Sequence, residues 1–199
     1  MMSLPPTNSN LPAPGAPGLT DPLANMAVGE TADFGLGDVE ISTQKLEGRQ
    51  RRIMAAIHIP FALEQVWQVL TDYEHLSDFI PNLTQSQRLP HPTGGIRLEQ
   101  IGAQCFLNIK VCARVVLDMV EHFPKELRFS MVEGDFRQFE GTWRLEPLAE
   151  GQGTRLTYDL QVLPPRMMPV GLIEQHIRHN LSDNLTAIRD RTAHLFAAS

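Results

Sequence analysis

The sequence predicts an α+β fold in which an antiparallel β-sheet is covered by one long C-terminal helix. Three observations lead to this class. Apolar and polar residues alternate in successive segments between residues 38 and 163, which is typical of strands with one buried face. Two short segments with helical spacing interrupt the strands early in this series. One long segment with helical spacing ends the chain, and its apolar stripe needs a sheet to cover.

Length and charge set the first limits on function. A chain of 199 residues with 42% hydrophobic residues can form one ordinary domain with a sizeable core. The formal charge is −6, but residues 1–45 hold five acidic residues against Lys45, so the remainder has 16 basic and 18 acidic residues and a charge of −2. Nucleic-acid binding needs a basic surface, so a nearly neutral body predicts no nucleic-acid partner.

The N-terminal segment differs from the rest of the chain. Six of the 15 prolines lie within residues 1–22, among Gly, Asn, Ser and Thr. Such a segment buries too little apolar surface to offset the entropy of ordering. We therefore expect a disordered Pro/Gly-rich tail over residues 1–37 and a folded ligand-binding domain over residues 38–199.

The location prediction rests on the cysteines and on the first residues. Cys105 and Cys112 fit no CxxC pattern and fall in strand-like sequence, which favours reduced, buried thiols without a disulfide. The first twenty residues carry no charge and no long apolar run, unlike a secretory signal. We expect a cytoplasmic protein that is at most peripheral at a membrane.

The elements are predicted in order along the chain. A hairpin around Glu47-Gly48 joins DVEIS to RRIMAAIHIP. Two short helices follow, and the first has Leu63, Val66, Trp67 and Leu70 on one face. The second should end before Pro81, because proline disfavours helical geometry in the residue that precedes it. Strands then continue through turns such as PHPTGG, HFPKE and LAEGQG.

Two later segments carry the clearest patterns. Every second residue from Leu107 to Met119 is apolar, which predicts one strand with a continuous apolar face. The last segment, which begins near Pro169, predicts a long helix whose stripe has these members: Ile173, Ile177, Leu181, Leu185, Ile188, Thr192 and Leu195.

This order of elements, with the stretches EQVWQVLTDYEHLSDFIPNL, ARVVLD, MVEGDFRQFEGTWRLEP and GTRLTYDLQVLP, resembles the START-like helix-grip superfamily (SRPBCC). Within it, the chain is most similar to the polyketide cyclase/dehydrase and coenzyme Q-binding branch of cyanobacterial and plastid type. The likeness covers residues 38–195. It implies a curved sheet wrapped around the long helix, a deep apolar cavity between them, and a lipid, prenylquinone or polyketide-like ligand, for many members without demonstrated catalysis.

The apolar strand faces and the long helix together give the predicted cavity wall. We expect a pocket on the order of 300 to 1,000 Å³, as is usual for small-molecule sites. Its predicted ligand-binding residues are Leu107, Ile109, Val111, Val115, Leu117, Met119, Leu127, Phe129, Met131, Trp143, Ile177 and Leu181.

Two segments are predicted to form the cavity entrance. Phe79, Ile80 and Pro81 follow the short helices, and Met167 and Met168 lie between prolines in the loop before the long helix. Methionine adapts to varied apolar shapes, which suits such a rim. In the alternative interpretation these side chains plug the end of the core or cap it beneath the loop, as apolar residues at such positions often do.

The sequence offers weak candidates for catalysis or metal binding. Asp135 and Glu140 are too far apart along a strand, about 17 Å, for paired carboxylate chemistry. His176 and His179 share a helix face without further ligands at metal-binding spacing. We therefore expect no metal, no cofactor and no catalytic residue, and ligand binding without turnover.

Three classes of function stay open at this point. The first is a carrier, chaperone or sensor that holds an apolar ligand, with transient contact between the arginines of GRQRR, residues 48–52, and a membrane surface. The second is an aromatase/cyclase-type enzyme that acts on a polyketide chain in the same cavity. The third is a protein-binding module.

Overall fold

The structure is a computed structural model that describes residues 38–106, 109–167 and 169–197. The predicted tail, residues 1–37, lies outside the described residues, and so do Leu107 and Met168 of the predicted site. The described chain forms eight strands and two α-helices: β1 (Val39–Lys45), β2 (Arg51–Ile59), α1 (Leu63–Thr71), β3 (Leu83–Leu89), β4 (Ile96–Phe106), β5 (Ile109–His122), β6 (Glu126–Gly134), β7 (Gln138–Pro147), β8 (Thr154–Leu163) and α2 (Val170–Phe196). Two 3-10 helices, Tyr73–Asp78 and Ala149–Gly151, lie in the connections after α1 and β7.

All eight strands form one antiparallel sheet in the order β1-β2-β8-β7-β6-β5-β4-β3. Every neighbour pair except β2–β8 is consecutive in sequence, so short connections build most of the sheet. β8 returns to pair with β2 and joins the first hairpin to the rest. The predicted α+β class, with a curved antiparallel sheet around a C-terminal helix, is confirmed.

The first hairpin and the two short helices follow the predicted order. Gly48 has a φ of 57° in the turn between β1 and β2, a conformation that glycine adopts without steric cost. α1 buries Val66, Trp67 and Leu70, as its periodicity predicts. The following 3-10 helix ends at Asp78, three residues before Pro81.

β5 differs from the predicted strand in extent and register. Its described part, Ile109–His122, continues three residues beyond Met119. The pairing of β5 with β6 shifts register between Val116 and Leu117, because Val132 of β6 has no partner in β5, and Val116 is buried at 3% exposed. A bulge of this kind bends the strand and increases its twist. Cys112 is exposed, so the prediction of a buried thiol is wrong at this position.

α2 has the predicted stripe over most of its 27 residues. Leu185 is 0% exposed and Ile188 is 2% exposed, and Thr192 is buried among them. Leu195 departs from the stripe and is 41% exposed, while Phe196 packs against the core instead. The helix begins directly after Pro169. Proline is tolerated at a helix start because the N–H group that it lacks would have no partner within the helix.

The helix covers only part of the sheet. α2 lies closest to β1, β2 and α1, and the hydrophobic core between them is dense. A space lies between the inner face of the strands from β3 to β8 and residues 180–188 of the helix. That space is the candidate functional site.

Candidate ligand cavity

A cavity of about 220 Å³ lies between α2 and the inner face of the sheet. Its volume is below the expected lower limit of about 300 Å³ for a small-molecule pocket. Its wall is made of residues from both short helical segments, from six strands and from α2: Leu70, Tyr73, Leu76, Ile80, Pro81, Asn82, Leu83, Leu98, Gln100, Gly102, Leu117, Met119, Leu127, Phe129, Phe139, Trp143, Tyr158, Asn180, Leu181, Asn184 and Ile188.

Four aromatic side chains form one side of the cavity. The rings of Phe129 and Tyr158 stack with centroids 5.6 Å apart, and Phe139 lies 5.8 Å from Phe129. Trp143 packs on Tyr158 with centroids 4.2 Å apart. Burial raises the pKa of the Tyr158 hydroxyl, so this group stays neutral in the cavity wall. We refer to these four residues as the aromatic wall.

Gly141 on β7 makes room for the aromatic wall. It pairs with Phe129 across β6 and β7. A Cβ atom at this position would lie 2.6 Å from Cζ of Phe129 and would overlap the backbone oxygen of Asp159. The absence of a side chain therefore lets the Phe129 ring lie across the sheet and reach Tyr158.

Polar groups are few in the cavity wall. Gln100 donates a hydrogen bond of 3.3 Å to the hydroxyl of the buried Ser86. The Tyr73 hydroxyl donates to the Glu121 carboxylate at 2.6 Å, and burial together with this hydrogen bond raises the tyrosine pKa. Asn180 and Asn184 come from α2. The described part of the wall contains no Asp, Glu, His, Lys or Arg, so it offers no charged group to a ligand.

The cavity reaches the surface where the chain enters β3. Pro81 and Asn82 line the cavity and are exposed. Asn82 has a φ of 64°, a left-handed conformation that asparagine adopts more readily than most residues. This turn lets the chain leave the 3-10 helix and begin the strand, with Ile80 and Leu83 on either side of the opening. We refer to residues 80–83 as the mouth.

The structure brings eight of the predicted site residues to this cavity. Two of them, Ile80 and Pro81, were predicted at the entrance and lie in the mouth. The other six were predicted in the wall and are found there: Leu117, Met119, Leu127, Phe129, Trp143 and Leu181.

Other predicted site residues lie elsewhere. Val115 is buried in the core, and Met131, Ile177 and Phe79 pack against the core. None of these four residues lines the cavity. Ile109 and Val111 lie in β5, where only their backbone is described, and Leu107 and Met168 are outside the described residues.

Met167 lies on the surface and does not line the cavity. Its side chain is 96% exposed. Arg49 holds the loop just before it, because its guanidinium donates to the backbone oxygens of Pro165, at 3.0 Å, and Arg166, at 2.8 Å. The loop is thus tied to the β1–β2 hairpin at one end of the sheet.

The weak candidates for chemistry do not form a site. Asp135 follows β6, where it accepts a hydrogen bond of 2.7 Å from the backbone of Arg114, and Glu140 lies in β7. Burial and the neighbouring His179 lower the pKa of His176. Within residues 38–106, 109–167 and 169–197 no group of three His, Cys, Asp or Glu side chains is arranged to hold a metal ion.

The comparisons with known proteins agree with this geometry. Residues 59–189 match the family of polyketide cyclases, dehydrases and lipid transport proteins. The chain belongs to this family. No curated protein is significantly similar in sequence. The narrower prediction of a coenzyme Q-binding, cyanobacterial or plastid type stays a prediction.

Three solved structures share the fold. The STAR-related lipid transfer protein from Xanthomonas axonopodis has a TM-score of 0.66 and 16% identity, over 82% of this chain and 98% of that one. The ZhuI aromatase/cyclase from Streptomyces sp. R1128 has a TM-score of 0.64 and 14% identity, over 75% of this chain and 98% of that one. Human STARD10 has a TM-score of 0.64 and 10% identity, over 82% of this chain and 72% of that one. The predicted START-like helix-grip fold is confirmed.

Among the residues that the structure describes, no helix is long and apolar enough to cross a bilayer.

Proposed function

We propose that this protein binds an apolar small molecule in the cavity beneath α2 and acts as a carrier, chaperone or sensor for it. The observation that carries the proposal is a cavity of about 220 Å³ whose described wall is apolar and aromatic and has no charged side chain. Transfer of an apolar ligand from water into such a space is favourable in proportion to the apolar area removed from water.

The ligand class follows from the family and from the size of the cavity. The family includes lipid transport proteins and polyketide cyclases, which supports a lipid or a polyketide-like molecule as the ligand. A prenylquinone is proposed as well, on the resemblance of the sequence alone. A volume of about 220 Å³ holds a small ring system or a short chain. In this proposal, the remainder of a longer ligand extends through the mouth beside Pro81 and Asn82.

An aromatase/cyclase-type enzyme is the alternative function. It is supported by the family description and by the fold shared with the ZhuI aromatase/cyclase. Proton transfer in such a reaction needs an acid or base with a pKa near the working pH. The described wall supplies two tyrosines, Tyr73 and Tyr158, whose pKa values burial raises, and no carboxylate or imidazole. Binding without turnover is therefore the proposal we favour.

A transient contact with a membrane surface belongs to the carrier proposal. Met167 is 96% exposed, which suits insertion of an adaptable apolar side chain between lipids. Two arginines of the neighbouring hairpin offer little positive charge to a membrane, because acidic side chains already pair with them. Arg51 pairs with Glu174 at 3.0 Å, and Arg52 pairs with Asp159 at 2.7 Å.

Organic extraction of the purified protein, followed by mass spectrometry, tests the proposed function. A stoichiometric apolar molecule in the extract is the expected result, and a variant with Leu117→Trp, which fills the cavity, should lose it. Incubation with this molecule should return it unchanged. Saturable conversion that depends on Tyr73 or Tyr158 would reverse the order of the two functions.

A further inference from the structure

Asn184 is a polar residue in an apolar part of α2. It lies between Leu181, which is 5% exposed, and Leu185, which is 0% exposed, and it lines the cavity. Asparagine is a poor residue for a helix interior, and a leucine here would extend the apolar stripe. The position therefore carries a cost in folding free energy that a hydrocarbon side chain would avoid.

The amide oxygen of Asn184 adds to this cost. Oδ1 is buried and accepts no hydrogen bond from any residue that the structure describes. Buried polar atoms are nearly always satisfied, and an exception calls for an explanation. Asn180, one turn earlier on the same face, already has an interaction partner, and Gln100 donates to Ser86. Asn82, the remaining amide of the wall, is exposed at the mouth, so Asn184 differs from the other three.

A ligand in the cavity is the group that can satisfy this atom. The torsion that turns an asparagine amide is broad, so the amide can rotate toward the cavity at low cost. It then presents one acceptor and two N–H donors. A carbonyl or ether oxygen on the ligand can only accept from the N–H groups. A hydroxyl can donate to Oδ1 and also accept from N–H, so it satisfies the amide in either orientation.

We propose that Asn184 anchors the ligand and that the ligand is an apolar molecule with a hydroxyl group, an alcohol or a phenol, that donates to the Asn184 amide oxygen. This inference rests on the proposed function and narrows its ligand class. It favours the hydroquinone or alcohol form of a ligand over a quinone or a plain hydrocarbon. The apolar wall supplies affinity, and Asn184 supplies selection for the hydroxyl group.

Two isomers of formula C8H18O test the anchor by isothermal titration calorimetry. 1-Octanol carries a hydroxyl that donates, whereas heptyl methyl ether carries an oxygen that only accepts. We expect the wild-type protein to bind 1-octanol about fivefold to tenfold more tightly than the ether, the ratio that one net hydrogen bond supplies.

The variant Asn184→Leu should bind both isomers equally, because it has lost the acceptor. It should melt at or above the wild-type temperature, since it removes an unsatisfied buried atom. Gln175→Leu makes the same chemical change on an exposed position of α2 and should keep the wild-type preference.

Equal binding of the two isomers by the wild-type protein would overturn the anchor and leave the proposed function standing. A preference for 1-octanol that persists in Asn184→Leu would also overturn it. If neither isomer binds and the purified protein yields no apolar molecule on extraction, the proposed function fails together with the anchor.

Discussion

Replacing Gly141 with alanine tests whether the aromatic wall is as closely packed on the sheet as the structure shows. The new Cβ atom would lie 2.6 Å from Cζ of Phe129 and would overlap the backbone oxygen of Asp159 on the neighbouring strand. Phe129 is 5% exposed and is held between Tyr158 and Phe139, so its ring cannot rotate away freely. A backbone oxygen in a sheet moves only if the strands separate.

The expected cost comes from this overlap. Overpacking in a core usually costs about 1 to 3 kcal/mol, and the backbone contact places Gly141→Ala at the upper end of that range. For a chain of this length, a loss of about 2 to 3 kcal/mol lowers the melting temperature by about 4 to 12 °C. Equilibrium urea unfolding, followed by circular dichroism, measures the free energy directly.

Gly171 offers a matched control. It lies in the first turn of α2, and a Cβ atom there would meet nothing within 4 Å. Gly171→Ala should therefore leave the stability unchanged or raise it slightly, because alanine favours the helix. If Gly141→Ala unfolds at the same urea concentration as Gly171→Ala, the packing of the aromatic wall described above is wrong.

Three further predictions concern the walls and surfaces around the cavity. Tyr73→Phe should lower the free energy of unfolding by about 1 kcal/mol in urea titrations, because it removes a hydrogen bond of 2.6 Å to Glu121; an unchanged value would show that the bond contributes nothing. Arg97 hydrogen-bonds the Asp118 carboxylate and lowers the pKa of Asp118. The ionised carboxylate therefore stabilises the fold above the unfolded pKa of about 3.9, and this contribution is lost as the pH falls through the lower folded pKa. NMR titration should place the Asp118 midpoint below that of an Arg97→Met variant, and equal midpoints would contradict the assigned cause. Met167→Asp should slow lipid transfer between liposomes at an unchanged melting temperature, since the side chain is 96% exposed; transfer at the wild-type rate would remove Met167 from membrane contact.

The strand and helix order was predictable because each segment repeats its pattern several times. α2 shows this well: Leu181, Leu185 and Ile188 keep the helical spacing, and all three are buried. Periodicity gives no such signal where a strand bulges. β6 has one extra residue, Val132, opposite the step from Val116 to Leu117, and the alternation of β5 gives no sign of it. Val115 and Met131, which lie beside this irregularity, do not line the cavity.

The part of the wall that prediction missed comes from strands whose inward faces the sequence indicates but whose meeting point it does not. Leu98, Phe139 and Tyr158 come from different strands and meet only through the curvature of the sheet. Asn180 and Asn184 did leave a signal, because two asparagines four residues apart beside an apolar stripe are unusual in a helix interior. That spacing places both on one face, the face that lines the cavity.

The volume of the cavity could not be predicted from the sequence. It depends on how far the inner face of the sheet lies from α2. Apolar patterns show which faces turn inward and do not show whether those faces touch. The predicted range of about 300 to 1,000 Å³ was accordingly too large for a cavity of about 220 Å³.

The central claim is that an apolar ligand enters the cavity beneath α2, and the two tryptophans test it directly. Trp143 lines the cavity, whereas Trp67 is 6% exposed in the core and packs against Phe123, away from the wall. A brominated ligand quenches tryptophan fluorescence on contact. Titration with 8-bromo-1-octanol should give saturable quenching of the Trp67→Phe variant, where only Trp143 emits, and little quenching of the Trp143→Phe variant. Equal quenching of both variants, or none of either, would contradict ligand binding in this cavity.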